Sequence, residues 1–156
     1  MIVISGANGR VGMLAARDAL RAGGSALDAV EAGIREVELN AADTSVGLGG
    51  YPNILGEVQL DAGIMDGSNR AVGAVAAVRG YAHPISVARQ VMLRLPHVLL
   101  VGEGAERFAA EIDAERSDLL TPESRQAWLD RLERFAGVRP EQLADHPDLT
   151  ELVWRA

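Results

Sequence analysis

The chain has 156 residues, 48% of them hydrophobic, and a net charge of −7 from 15 basic and 22 acidic side chains. That length suits one domain and that apolar content a packed core, which excludes a disordered chain, while the acidic balance argues against nucleic acid or an anionic membrane surface as partner. With no cysteine, there is no disulfide framework, thiolate metal site or cysteine nucleophile.

No apolar run approaches the ~18 residues of a membrane span, and Met1–Ser5 is too short for a secretory apolar region, so the cytoplasm is the expected location. Met1–Ser5 (MIVIS) reads as a short buried strand, followed by the glycine-punctuated turn Gly6–Gly12 and a helix ended by Gly23-Gly24. Ser25 with Asp28 three residues on is a capping box for a second helix. Its apolar stripe is Leu27, Val30, Ile34 and Val37, with Asp28, Glu31, Arg35 and Glu38 expected to face water. Asn40–Ile54, with Gly47, Gly49, Gly50 and Pro52, reads as loop.

Alternation from Glu57 to Asp66 predicts a strand with Val58, Leu60, Ala62 and Ile64 inward. Asp66-Gly67-Ser68-Asn69 turns the chain into a second strand, Ala71–Arg79, apolar on both faces and so expected mid-sheet with both faces covered. Pro84 starts a helix backed by Val87, Val91 and Leu95; His97–Val101 is a strand, and Gly102–Gly104 leads into a helix around Phe108. Thr121-Pro122-Glu123-Ser124 is a helix start whose buried stripe would be Trp128, Leu132 and Phe135. Residues 140–156 read as an acidic, flexible tail. The order predicts an α+β chain with helices on both sides of a largely antiparallel sheet. Its apolar edges call for further strands from elsewhere.

Complete catalytic sets are missing by composition. Gly6–Gly12 has the layout of a dinucleotide-binding turn, but the next segment is a capped helix rather than the strand that should carry a ribose selector. The Tyr-x-x-x-Lys pair of short-chain dehydrogenases is impossible in a chain without lysine. A turn is the plainer reading, with an NAD(P)-binding fragment as the alternative. Gly102-Glu103-Gly104 lacks a third glycine and a phosphate-binding lysine. His83, His97 and His146 share no metal spacing, Asp61 and Asp66 point to opposite faces of one strand, and no Gly-x-Ser-x-Gly occurs, so no metal site is expected.

GGSALDAVEAG at Gly23–Gly33 and SVGLGGYPNILGEVQLDAGIMDG at Ser45–Gly67 resemble the asparaginase/glycosylasparaginase family. So do Val72–Val75, Val87-Ala88-Arg89 and Leu99–Gly104, so that the likeness covers roughly residues 1–110 and matches the family's α subunit. The resemblance implies an αββα sandwich of the amino-terminal-nucleophile hydrolases, completed by a separate β subunit from the same self-cutting precursor. Residues 1–139 would be the α-subunit half of that domain, and 140–156 would lead to the cut. The nucleophile would be a threonine at the start of the β subunit. None of Thr44, Thr121 and Thr150 has the sequence context for it.

By the same resemblance, Ser45 is an accessory residue near that nucleophile and Gly6, Ala7 and Asn8 line the substrate pocket. No cofactor is implied; a structural sodium ion in the Glu38–Leu48 loop and an (αβ)2 assembly are. The Gly-Gly-Ser-Ala-Leu-Asp helix and the SVGLGG block look closer to glycosylasparaginases, yet Ala7 stands where that branch has a tryptophan over the substrate. Glycosylasparagine, asparagine and isoaspartyl peptides therefore all stay open as substrates. A non-catalytic module is the remaining alternative.

Overall fold

The computed structural model describes residues 2–143 and 145–155, with only the backbone of Arg155. Ala7–Gly12 forms a 3-10 turn that runs directly into α1 (Met13–Arg21). The expected capping box opens α2 (Ala26–Glu38): Ser25 Oγ accepts from the Asp28 N–H at 3.2 Å, and the Asp28 carboxylate accepts from the Ser25 N–H at 2.7 Å. After the long loop come β1 (Leu60–Asp66), β2 (Ala71–Val78), α3 (Pro84–Arg94), β3 (Leu99–Val101) and α4 (Glu103–Glu111). α5 (Pro122–Arg131) begins at the N-cap Thr121, whose hydroxyl accepts from the Ser124 N–H.

The sheet has the order β1-β2-β3, with β1 and β2 antiparallel and β2 and β3 parallel. β2 is the middle strand, as expected, although only one of its two apolar faces is covered. One face, carrying Ile64 and Val75, packs under Val87, Ala88 and Val91 of α3 and Ala105 and Ala109 of α4, with Leu27 and Ile34 of α2 joining the same core. The register puts Met65 opposite Val72, Ala74 opposite Leu99 and Ala76 opposite Val101 on the other face. Met65, Leu99 and Val101 there are each more than half exposed. Helices therefore cover one side of the sheet, not both.

The expected strand at Met1–Ser5 does not form over Ile2–Ser5, and Met1 lies outside the described residues. A strand needs a neighbour to take its backbone hydrogen bonds. None of β1–β3 pairs with this segment, and Ile2 and Ile4 stand 85% and 88% exposed. The chain exposes 9529 Å² in all, whereas a compact monomer of this length exposes roughly 7,500 Å².

Two other expectations change. The polar face of α2 meets α3 rather than water: Arg89 reaches Asp28 at 2.6 Å and also pairs with Glu31, Arg35 donates to Ser86 Oγ at 3.0 Å, and Glu38 is buried. In the carboxy-terminal part, α5 passes into a wider turn at Leu132–Ala136, closed by Gly137 N–H to Leu132 O at 2.8 Å. That i→i+5 turn breaks the 3.6-residue phase, leaving Leu132 buried and Phe135 half exposed. Pro140–Gln142 forms a short turn and Leu149–Arg155 the helix α6, with Leu143 and Leu152 buried beside Leu132.

Near its end β2 bulges. The register shifts between Leu60 and Ala62, the Asp61 carboxylate accepts from the Ala77 N–H at 2.8 Å, and Ala77 sits at φ 52°. A left-handed alanine carries Cβ strain that glycine lacks. Ala77→Gly is expected to stabilise the full-length protein by about 0.5–1 kcal/mol, read as a raised midpoint in denaturant unfolding.

Candidate active site

The loop after α2 is held by its first and last residues. The Leu48 N–H donates to the Glu38 carbonyl at 2.8 Å, and Gly47 turns at φ +72°. A Cβ on Gly47 would stand 2.1 Å from the Glu38 oxygen, so only glycine lets the loop close this tightly. Inside it the Asp43 N–H donates to Asn40 O, and from just beyond it the Tyr51 N–H donates to Thr44 O, both at 2.9 Å.

Ser45 is exposed at the outer side of this loop. Its hydroxyl donates to Asp43 Oδ1 at 2.6 Å and its N–H donates to the same oxygen at 3.0 Å. Asn8, from the turn before α1, donates from Nδ2 to Ser45 Oγ at 3.5 Å. The Ser45 hydroxyl, then the Ser45 N–H, and less strongly the Asn8 amide hold the Asp43 carboxyl below its usual range. Two residues 37 apart in sequence are thus brought together, with Asp43 as a third member. Gly6 and Ala7 lead into the same exposed turn, where Gly6 O accepts from the Gly9 N–H at 3.1 Å.

The Gly6–Gly12 turn serves packing. A Cβ on Gly12 would lie 1.9 Å from the Gly33 carbonyl oxygen, so this glycine allows α1 and α2 to meet backbone to backbone. No strand precedes the turn over Ile2–Ser5, and α2 follows α1, so the strand–turn–helix–strand unit of a dinucleotide site is not built here.

Behind the Ser45 loop lies a buried ionisable pair that sequence periodicity did not reveal. Glu38 is 2% exposed and His83 4% exposed. Glu38 Oε1 accepts from the Ile85 N–H at 2.9 Å, at the start of α3, and Glu38 Oε2 lies 3.1 Å from His83 Nδ1. The other ring nitrogen of His83 lies 3.5 Å from Glu115, which also pairs with Arg35 at 3.6 Å. Burial pushes the Glu38 carboxyl up to about 8, against the Ile85 N–H and the Arg35 charge, and burial pushes His83 down. Both shifts favour a neutral, hydrogen-bonded pair.

The remaining candidates stand apart. Asp61 caps the β2 bulge, Asp66 takes the Ser68 hydroxyl at 2.7 Å in the hairpin turn, and His146 accepts from the Asp148 N–H. Among the described residues no three His, Cys, Asp or Glu side chains gather as a metal cluster, and no helix is long and apolar enough to cross a membrane. Thr121 is committed to its N-cap and Thr150 lies in α6.

Residues 11–148 match the model of a family described as asparaginase, and the chain belongs to that family. It is 50% identical over 109 residues to an N(4)-(β-N-acetylglucosaminyl)-L-asparaginase of Elizabethkingia miricola, covering 70% of this chain and 32% of that protein. It is 46% identical over 93 residues to an isoaspartyl peptidase/L-asparaginase of Mus musculus, covering 60% and 28%. A plant-type L-asparaginase of Pyrococcus abyssi is 44% identical over 133 residues, covering 81% and 43%. The chain thus spans about a third of the length of the first two relatives and somewhat more of the third.

The buried pair sets a pH dependence. Unfolded, a Glu38 carboxyl ionises near 4.5, while folded it keeps its proton to about 8. The stability from that retained proton is fully present below the lower value and lost as pH rises toward the upper one. His83, lowered from 6.5, acts in the opposite sense only below that pH. Between pH 6.5 and 8 the stability of the full-length protein is expected to fall by up to ~1.4 kcal/mol per pH unit from this group. Urea titrations across that window should show a flatter profile for Glu38→Gln.

Proposed function

We propose that this chain is the α-subunit part of a self-processed amidohydrolase that cleaves the β-amide of asparagine derivatives. The observation that carries the reading is an unfinished core in a chain of asparaginase sequence. One sheet face stands open at Met65, Leu99 and Val101, and a groove of about 400 Å³ lies open between the amino-terminal segment and α1–α2. Val3, Ile4, Met13, Ala16, Val30 and Val37 line that groove, and Ile2 and Ile4 are largely exposed. A second sheet laid on the open face would give the αββα sandwich, and its strands would supply partners for Ile2–Ser5.

The β subunit would also bring the nucleophile, since the hydroxyls of Thr44, Thr121 and Thr150 have other surroundings: a loop, a helix cap and a helix. Its terminal threonine would attack the β-amide carbonyl with its own α-amine as base. A terminal amine has a pKa near ~8 and lies next to the hydroxyl it must deprotonate. The acyl group then on threonine is released by water. Ser45 and Asn8 would flank that threonine from the α side, with Gly6 and Ala7 at the pocket entrance. A structural sodium ion, if bound, would be held by main-chain carbonyls of the 38–48 loop that have a lone pair to spare, and its role would be to stiffen that loop. The αβ unit would pair again to (αβ)2.

Expression of the full-length precursor is expected to yield two fragments and hydrolysis of at least one of three probes: N4-(N-acetylglucosaminyl)-asparagine, asparagine and an isoaspartyl dipeptide. Ser45→Pro removes both the hydroxyl and the N–H that Asp43 accepts, and should block processing and turnover together. An uncut precursor that turns over these amides, or hydrolysis by this chain alone, would overturn the proposal.

A further inference from the structure

We propose that Asp43 is a positioning residue for the accessory serine: it takes the only hydroxyl proton of Ser45 and so fixes Ser45 Oγ as a hydrogen-bond acceptor toward the site. The inference rests on the amidohydrolase reading above and deepens it. A serine hydroxyl has one proton and two lone pairs. Here the proton lies on the 2.6 Å line to Asp43 Oδ1, while the Ser45 N–H reaches the same oxygen at 3.0 Å. The two bonds fix the side chain and the backbone of Ser45 against one atom, so the hydroxyl has no free rotor left. Asn8 Nδ2 stands 3.5 Å from Oγ, within reach of one lone pair.

What Ser45 can still offer an incoming group is therefore its remaining lone pair, and the group it meets must be a donor. The carboxylate form suits this role, because a charged acceptor holds a hydroxyl proton more firmly than a neutral one. The Asp43 carboxyl is kept ionised by the same bonds. Asp43 itself is only partly buried, and Ser45 and Asn8 are exposed, so the arrangement faces outward rather than serving the core.

The test is a double-mutant cycle in the processed full-length enzyme, with kcat and KM measured on the amide that the wild type hydrolyses. Asp43→Ala should lower kcat roughly tenfold with KM within about twofold, and Ser45→Ala should do the same. The double variant should be little worse than Ser45→Ala alone in kcat, because the part of Asp43 that bears on turnover passes through that hydroxyl, while its bond from the Ser45 N–H orders only the loop backbone. Asp43→Asn keeps the acceptor oxygen and should recover most of the turnover that Asp43→Ala loses. Additive losses in the double variant, or an Asp43→Asn enzyme as slow as Asp43→Ala, would overturn the positioning role while leaving the amidohydrolase reading intact. A wild type inactive on all three amide probes would overturn both.

Discussion

The buried carboxyl of Glu38 is the point at which three parts of the molecule are tied. Its side chain accepts the first free N–H of α3 and shares a hydrogen bond with the ring of His83, and its carbonyl accepts the Leu48 N–H. One residue thereby fixes the end of α2, the start of α3 and the closure of the loop between Glu38 and Leu48. Burying a carboxyl is costly unless its oxygens are hydrogen-bonded. Here both oxygens have partners, and among the described residues no buried side-chain polar atom lacks one. The geometry of Ser45 is set from this buried anchor, although Ser45 itself lies at the surface.

Two kinds of contact build the α2–α3 junction. Leu27 and Ile34 enter the apolar core beneath the sheet, while Arg89, Asp28, Glu31, Arg35 and Ser86 form a polar seam beside it. Apolar burial supplies the driving force, whereas charged hydrogen bonds are directional. The seam consequently fixes the angle and register of α2, which decide where the loop emerges. Backbone contact of Gly12 with Gly33 adds α1 to this stack and carries the Asn8 turn within reach of Ser45. The layered contacts and the exposed Asn8–Ser45 contact are parts of one construction.

The opposite surface has another character. A sheet face with Met65, Leu99 and Val101 exposed is energetically unfinished, since burial of such side chains is what stabilises a sheet. An exposed area of 9529 Å² against roughly 7,500 Å² for a compact chain of this size expresses the same fact as an area. The matched residues make up about a third of the length of two asparaginase relatives, and covering this face is the task the proposal above gives to a second layer.

Much of this was legible from residue order alone. The capping box at Ser25 and Asp28, the hairpin at Asp66–Asn69, the central place of Ala71–Val78 and the cap at Thr121 depend on neighbours in sequence and turned out as their spacing implies. So did the family, because its motifs are runs of adjacent residues. Periodicity failed where two elements meet. It placed Glu38 in water, it buried Phe135 through a turn that is no longer 3.6-fold, and it made a strand of Ile2–Ser5 with no neighbour to pair it. It also passed over Asp43, although an aspartate two residues before a serine is the local signal for a side-chain-to-backbone turn. Local order in the sequence thus determined which elements form and where they begin. Only the tertiary structure decided which polar faces are buried and that Asn8 meets Ser45, because those outcomes depend on contacts between segments far apart in the chain.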